Sequence, residues 1–397
     1  MKPISAKISF ILLILVLFSS CNAVKRVEKD ENLLVENTIY VDGEKENKNL
    51  IYELLYQRPN TDLLGYPLEL HVYNLAKPEP DSAFTTWLHA KPDRKENLAD
   101  FYSEKQVVRM GNIYLNFNQW LKKVGEAPVI VEEDLTQKSA ERLKAWYWNK
   151  GWFDTETSYE IIPRENKRAA IEYFVTKHEP YIVDSIKTRI PSEAADSIYE
   201  RYKQFSYIKS GTQFSSEDFS QERERLTTLF RNNGLYHFEQ EYLTFEADTI
   251  GTDHKVNATV IVQNHETIKS GVTTRIPYQV HKISEVNIFP DYTYENRNDA
   301  ITDTATYNGY HIYAFDPLKY RPKALTNAIF IAPDSIYSDT ARTLTYNRLS
   351  QLRIFKYPDI QYMPDPNDST NTNLIANIFL TALPKYSLEF QTDISQS

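Results

Sequence analysis

One cysteine in 397 residues excludes any intramolecular disulfide and any site built from several thiolates. Glycine is scarce as well, ten in all, and no GxSxG, GxGxxG or P-loop pattern occurs. The eight histidines, His71, His89, His178, His237, His254, His265, His281 and His311, hold no pair at helical ligand spacing and no HExxH, so they are expected as scattered surface or core imidazoles. The formal net charge of −9 makes a surface that repels nucleic acid. After residues 10–18 no apolar run approaches the about 20 residues of a membrane-spanning helix. These absences point away from an enzyme and from a metal or cofactor site, and leave binding as the functional class.

What is present begins at the N-terminus. Lys2 and Lys7 precede the apolar residues 10–18, and small residues follow, the order of a secretory signal peptide in residues 1–20. Phe18-Ser19-Ser20-Cys21 resembles the lipobox of bacterial lipoproteins, whose cysteine is lipidated at sulfur and becomes the new N-terminus. Phe18 departs from the Leu, Val or Ile preferred there. The resemblance implies that Cys21 anchors the chain to a lipid membrane; the alternative is an ordinary signal peptide that leaves one free thiol.

Behind the signal, one unit recurs three times in the order strand, helix, helix, strand, strand. The first copy, in residues 21–178, has an alternating strand at 38–41 and a helix at 47–56 with Leu50, Leu54 and Leu55 on one face. After a long insertion come the turn Gly125-Glu126-Ala127-Pro128 and a helix that Glu132, Glu133 and Asp134 start. Strands at 157–162 and 169–176 complete it. Residues 81–124 hold two charged helical patterns and are the least readable. The second copy, 179–265, has a strand at 181–189, a helix at 192–205, the turn Lys209-Ser210-Gly211 with Phe214, and a helix bearing Leu226, Leu229 and Phe230. Gly211 is expected at positive φ. Strands at 242–246 and 256–262 follow. The third copy, 278–384, opens with a strand at 278–289 and carries an insertion from 290 to about 320. It resumes with helices near 323–330 and 340–352 and strands near 359–363 and 374–383.

The expected fold class is therefore α+β, a series of small sheets each with two helices on one face. The module order, the Gly-x-x-Phe turn and the aromatic residues behind each second helix (Trp152-Phe153, Leu235-Tyr236, Phe355-Lys356-Tyr357) resemble POTRA domains, the periplasmic modules of the BamA/TamA family of outer-membrane assembly proteins. With the lipobox, the chain looks like the lipoprotein branch of that family in Bacteroidota, called TamL. Gln57-Arg58-Pro59-Asn60 with Leu63-Leu64-Gly65, and Phe117-Asn118-Gln119-Trp120-Leu121 running into Gly125-Glu126-Ala127-Pro128, are the most specific stretches. The alternative is an unrelated string of small α+β domains.

After Pro384, Tyr386, Leu388 and Phe390 alternate with Ser387, Glu389 and Gln391. Residues 385–397 read as a first strand of a transmembrane barrel cut short, or as a frayed strand of the third module. The resemblance implies a periplasm-facing outer-membrane lipoprotein that receives unfolded outer-membrane protein clients at its sheet edges, with a TamB-like inner-membrane partner. The rival is a structural or scaffold lipoprotein without clients.

Overall fold

The computed structural model describes residues 23–63, 65–269 and 271–383. Cys21, Leu64 and the segment from Pro384 onward lie outside the described residues. Two compact units divide the chain, at Met1–Pro180 and Tyr181–Ser397.

In the first unit β1 (Leu33–Val41), β2 (Glu44–Lys45), β3 (Glu156–Arg164) and β4 (Arg168–Thr176) form one sheet in the order β2-β1-β4-β3, with β1 parallel to β4 and β3 antiparallel to it. The last strand in sequence is central, which is why Ile171, Tyr173 and Val175 of β4 are fully buried. Helix α1 (Asn49–Tyr52) is shorter than the expected 47–56, and Leu50 is 62% exposed while Ile51 and Leu55 are buried. A four-residue helix has no room for a stripe, so the expected Leu50, Leu54 and Leu55 face is replaced by two buried residues four apart. Between α1 and the second core helix stand α2 (Leu68–Leu75), α3 (Pro80–His89), α4 (Arg94–Tyr102) and α5 (Glu104–Val124). Residues 81–124 thus carry three helices rather than two patterns, and α2, α3 and α4 each pack on α5. Phe84 approaches Gly111 of α5 so closely that a Cβ there would lie 2.9 Å from its ring. Helix α6 (Glu133–Trp148) packs on β3 and β4 with Ala140, Leu143 and Tyr147 on one face. Glu133 and Asp134 fill its first turn, and Gly151 at φ +91° follows its end.

The second unit holds two modules. In the first, β5 (Ile182–Arg189), α7 (Glu193–Tyr202), α8 (Ser216–Asn232), β6 (Leu243–Asp248) and β7 (Lys255–Val262) give the sheet order β5-β7-β6. Leu226, Phe230, Leu235 and Phe238 fill its core. Helix α8 also buries Glu222 completely, and Arg225 answers with Nη2 to Oε1 at 2.7 Å and Nε to Oε2 at 2.8 Å. A hairpin of β8 (His265–Lys269) and β9 (Val272–Ile276) then intervenes, which the sequence patterns did not indicate.

In the second of these modules β10 (Lys282–Phe289), β11 (Asp303–Tyr307), β12 (Tyr310–Ala314), α9 (Pro322–Thr326), α10 (Asp339–Gln351), β13 (Asp359–Pro364) and β14 (Asn373–Phe379) build a five-stranded sheet ordered β11-β12-β10-β14-β13. The insertion at 290–320 therefore belongs to the sheet, because β12 pairs in parallel with β10. The fold class is α+β, as expected.

The repeat holds down to single hydrogen bonds. Each first strand bulges at one place, between Leu34 and Glu36, Val183 and Ser185, and Ile283 and Glu285. In the bulges Val183 O accepts from Gly211 N and Ile283 O from Asp334 N, both at 2.7 Å. Gly211 and Asp334 lie in the left-handed region, at φ +80° and +60°. Pro128 stands at the matching place of the first module, ahead of Val129 whose carbonyl accepts from Leu34 N at 2.8 Å. Proline has no N–H to give. Two side chains fasten this turn instead. Asn60 Nδ2 donates to Ala127 O at 2.7 Å and its Oδ1 accepts from Val129 N at 3.1 Å, while Gln57 donates to Ile130 O and accepts from Glu132 N at 3.1 Å.

Candidate binding surfaces

Strands β3, β6 and β13 are equivalent. Each is antiparallel to the central strand of its module and forms a margin of its sheet among the described residues. A margin strand carries backbone N–H and C=O groups directed away from the sheet, which another extended chain can pair with. The strands read from the sequence at 242–246 and 359–363 are the margins β6 and β13. On the opposite side the modules differ: β2 pairs with the end of β1 and β12 pairs with β10, whereas β5 remains a margin.

Beside β6 runs helix α8. Phe245 stands edge-on to Phe219 at 5.4 Å, and the Arg223 guanidinium lies 5.6 Å from the Phe245 ring centre. Strand and helix thus border a strip with an apolar floor and a cation above it. At β13 the exposed Gln361 and Met363 alternate with buried Ile360 and half-buried Tyr362.

The junction of the two modules within the second unit is built from the end of α8 and the start of α10. Gly234 O accepts from His281 N at 2.8 Å, Asn232 Oδ1 accepts from Ser338 Oγ at 2.9 Å and Thr340 N at 2.8 Å, and Tyr236 meets Tyr337 edge-on at 5.0 Å. Burial pushes the Tyr337 hydroxyl up, and that of half-buried Tyr362 likewise. Three histidines expected to be scattered come together here. His237 stacks on His265 at 4.7 Å and meets His281 edge-on at 5.2 Å. Burial, then His281 and His265, hold His237 down to about 4, and burial also lowers His281. One pair of rings stacks and the other meets edge-on, and among the described residues no group of three or more His, Cys, Asp or Glu could hold a metal ion. No spacing rule would have found this trio, since its members sit on separate stretches of chain.

Trp146, Trp148, Trp152 and Phe153 pack around the end of α6, with Trp148 5.0 Å from Phe153 and Tyr147 5.8 Å from Trp152. Cys21 itself lies outside the described residues. Ala23, two positions on, is buried, and its carbonyl accepts from Asn74 Nδ2 of α2 at 3.0 Å.

No family model and no curated protein matches the chain. Among solved structures it is similar to POTRA3-5 of Haemophilus influenzae BamA, at 9% identity and TM-score 0.34, over 89% of this chain and 99% of that one. It is also similar to the N-terminal domain of Omp85 from Thermosynechococcus elongatus, at 10% identity and TM-score 0.23, over 90% and 100%. A BamA from Haemophilus ducreyi lacking POTRA domains 1-3 aligns at 13% identity and TM-score 0.33, over 51% of this chain and 30% of that one. Superpositions this loose carry no argument, and the topology and hydrogen bonds described above stand on their own.

Proposed function

We propose that the chain is a tethered receiver for unfolded outer-membrane proteins. It faces the periplasm from the outer membrane, anchored through lipid on Cys21, and acts by binding rather than by catalysis. The module order and the POTRA resemblance of the sequence support this, and one observation carries it: among the described residues all three modules leave the same strand at the margin of the sheet, β3, β6 and β13. Backbone pairing at such margins gives affinity with low specificity, which suits a protein that takes many clients. The TamB-like inner-membrane partner and the TamL-like branch rest on sequence resemblance alone.

The test is a photoreactive side chain placed at exposed Glu246 of β6 or Gln361 of β13 in cells. Crosslinks to outer-membrane proteins in transit are expected from both sites and not from Ala258 in the middle of β7. Crosslinks to none, with the protein folded and exported, would leave the scaffold reading in its place. The anchor is tested separately: Cys21→Ala abolishes metabolic labelling with a fatty acid and releases the protein from membranes.

A further inference from the structure

Helix α5 carries two apolar faces. Val107, Gly111, Asn118 and Leu121 are buried against the neighbouring helices. Ile113, Phe117, Trp120 and Val124 are 60%, 55%, 53% and 43% exposed, and they follow one another at steps of four, three and four residues. At about 100° per residue that spacing makes one stripe along the helix. Phe117 and Trp120 stack within it at 5.9 Å. Lys105, Arg109 and Lys123 fall along one flank of the stripe on the same geometry, and with Lys122 they outnumber the single acid of the helix, Glu104, by four to one. This is a basic helix with an aromatic stripe in a chain whose net charge is −9.

We infer that the Ile113–Phe117–Trp120–Val124 stripe lies in the surface of an anionic phospholipid bilayer, holding the first unit flat against the membrane that Cys21 anchors. The inference rests on the lipidation reading for the second membrane contact, and the length of chain sets the distance. Buried Ala23 is two positions from Cys21, a reach of roughly 7 Å. Ala23 is bonded to Asn74 of α2, and α2 packs on α5 so closely that a Cβ on Gly125 would lie 2.4 Å from Tyr73 N. The helix that holds Ala23 thus also packs on the end of the stripe. A tether this short leaves the unit no room to swing free, so the surface that holds the lipid also meets the helices around it. Trp and Phe on one side with Lys and Arg beside them are the chemistry of a helix lying in the headgroup region. No helix among the described residues is long and apolar enough to cross a membrane, so α5 lies on the bilayer and does not span it.

The full lipidated chain is reconstituted into phosphatidylethanolamine vesicles with or without phosphatidylglycerol, carrying Trp120→Cys labelled with an environment-sensitive fluorophore. Ile113→Cys serves as a second site and Gln119→Cys, on the polar side, as the control. The expected result is blue-shifted emission at 120 and 113, quenched by brominated lipid and strengthened by phosphatidylglycerol, with water-like emission at 119. Lys105→Glu with Lys123→Glu should remove the phosphatidylglycerol dependence. Water-like emission at 120 and 113 overturns the inference. So does a blue shift that brominated lipid does not quench, which assigns the stripe to a second protein surface. Label stoichiometry reports the anchor independently: one label per chain shows Cys21 blocked, two show it free. Two labels with lipid quenching defeat the lipidation reading and keep the stripe on the bilayer.

Discussion

The guanidinium of Arg231 donates to the carboxylate of Asp339 at 2.8 Å, joining the last turn of α8 in one module of the second unit to the first turn of α10 in its neighbour. Burial alone would raise the Asp339 carboxyl, but the Arg231 hydrogen bond and charge outweigh it and hold the group below its usual range. The pair is partly exposed, so Arg231→Ala should cost about 1 kcal/mol of unit stability at low salt and less at high salt. A double-mutant cycle with Asp339→Ala, read by urea unfolding, measures the coupling.

Two glycines at left-handed backbone separate strain from contact. A Cβ on Gly211, at φ +80°, would meet nothing within 4 Å, whereas at Gly234, φ +93°, it would meet Val280 Cγ1 at 2.6 Å and Ile336 Cγ2 at 3.0 Å. Gly211→Ala should therefore cost about 1 kcal/mol from backbone strain alone, and Gly234→Ala about 2 to 4 kcal/mol with overpacking added. Thermal unfolding ranks them; equal costs would refute the account of the junction.

Arg225→Ala leaves the fully buried Glu222 without its bidentate partner. A stranded buried carboxylate costs about 3 to 5 kcal/mol. The loss should be far smaller for the double variant Glu222→Leu with Arg225→Leu, which removes both charges.

The Gln57 and Asn60 clamp gives a local prediction. Asn60→Ala removes a donor to Ala127 O and an acceptor from Val129 N, so about 1 to 3 kcal/mol is lost. Hydrogen exchange should speed up first at Val129 and Val131.

Acid should loosen the second unit. Below about 6.5 the unfolded chain takes up protons that buried His281 resists and that His237 declines until about 4. The unfolded state then binds more protons than the folded one, so stability is complete above about 6.5 and falls as the pH drops towards 4. Urea melts at several pH values check this, and His281→Gln should flatten the slope.

The strand and helix order was legible because α6 and α8 repeat apolar residues at helical spacing and β4 and β7 are near-continuous apolar runs, as central strands must be. Helices α1 and α9 were not legible in length, since four or five residues hold too little periodicity. Strand β11 reads Asp-Thr-Ala-Thr-Tyr, a short, mostly polar stretch that a loop shares, its partner β12 is five residues long, and β9, the partner of β8, is exposed throughout. The residues at 57–60 and 125–128 stood out in the sequence separately; their pairing across 67 or more positions could be seen only once the chain was folded. The margins β6 and β13 followed from the module order, while the α5 stripe lay inside the stretch that read least clearly.

The most direct test of strand pairing is amide hydrogen exchange of the described modules with and without an unfolded outer-membrane protein segment. Amides of β6 and β13 should gain protection on binding, with those of the central strands β7 and β14 unchanged. Protection confined to helix surfaces, with both margin strands exchanging as before, would contradict the account.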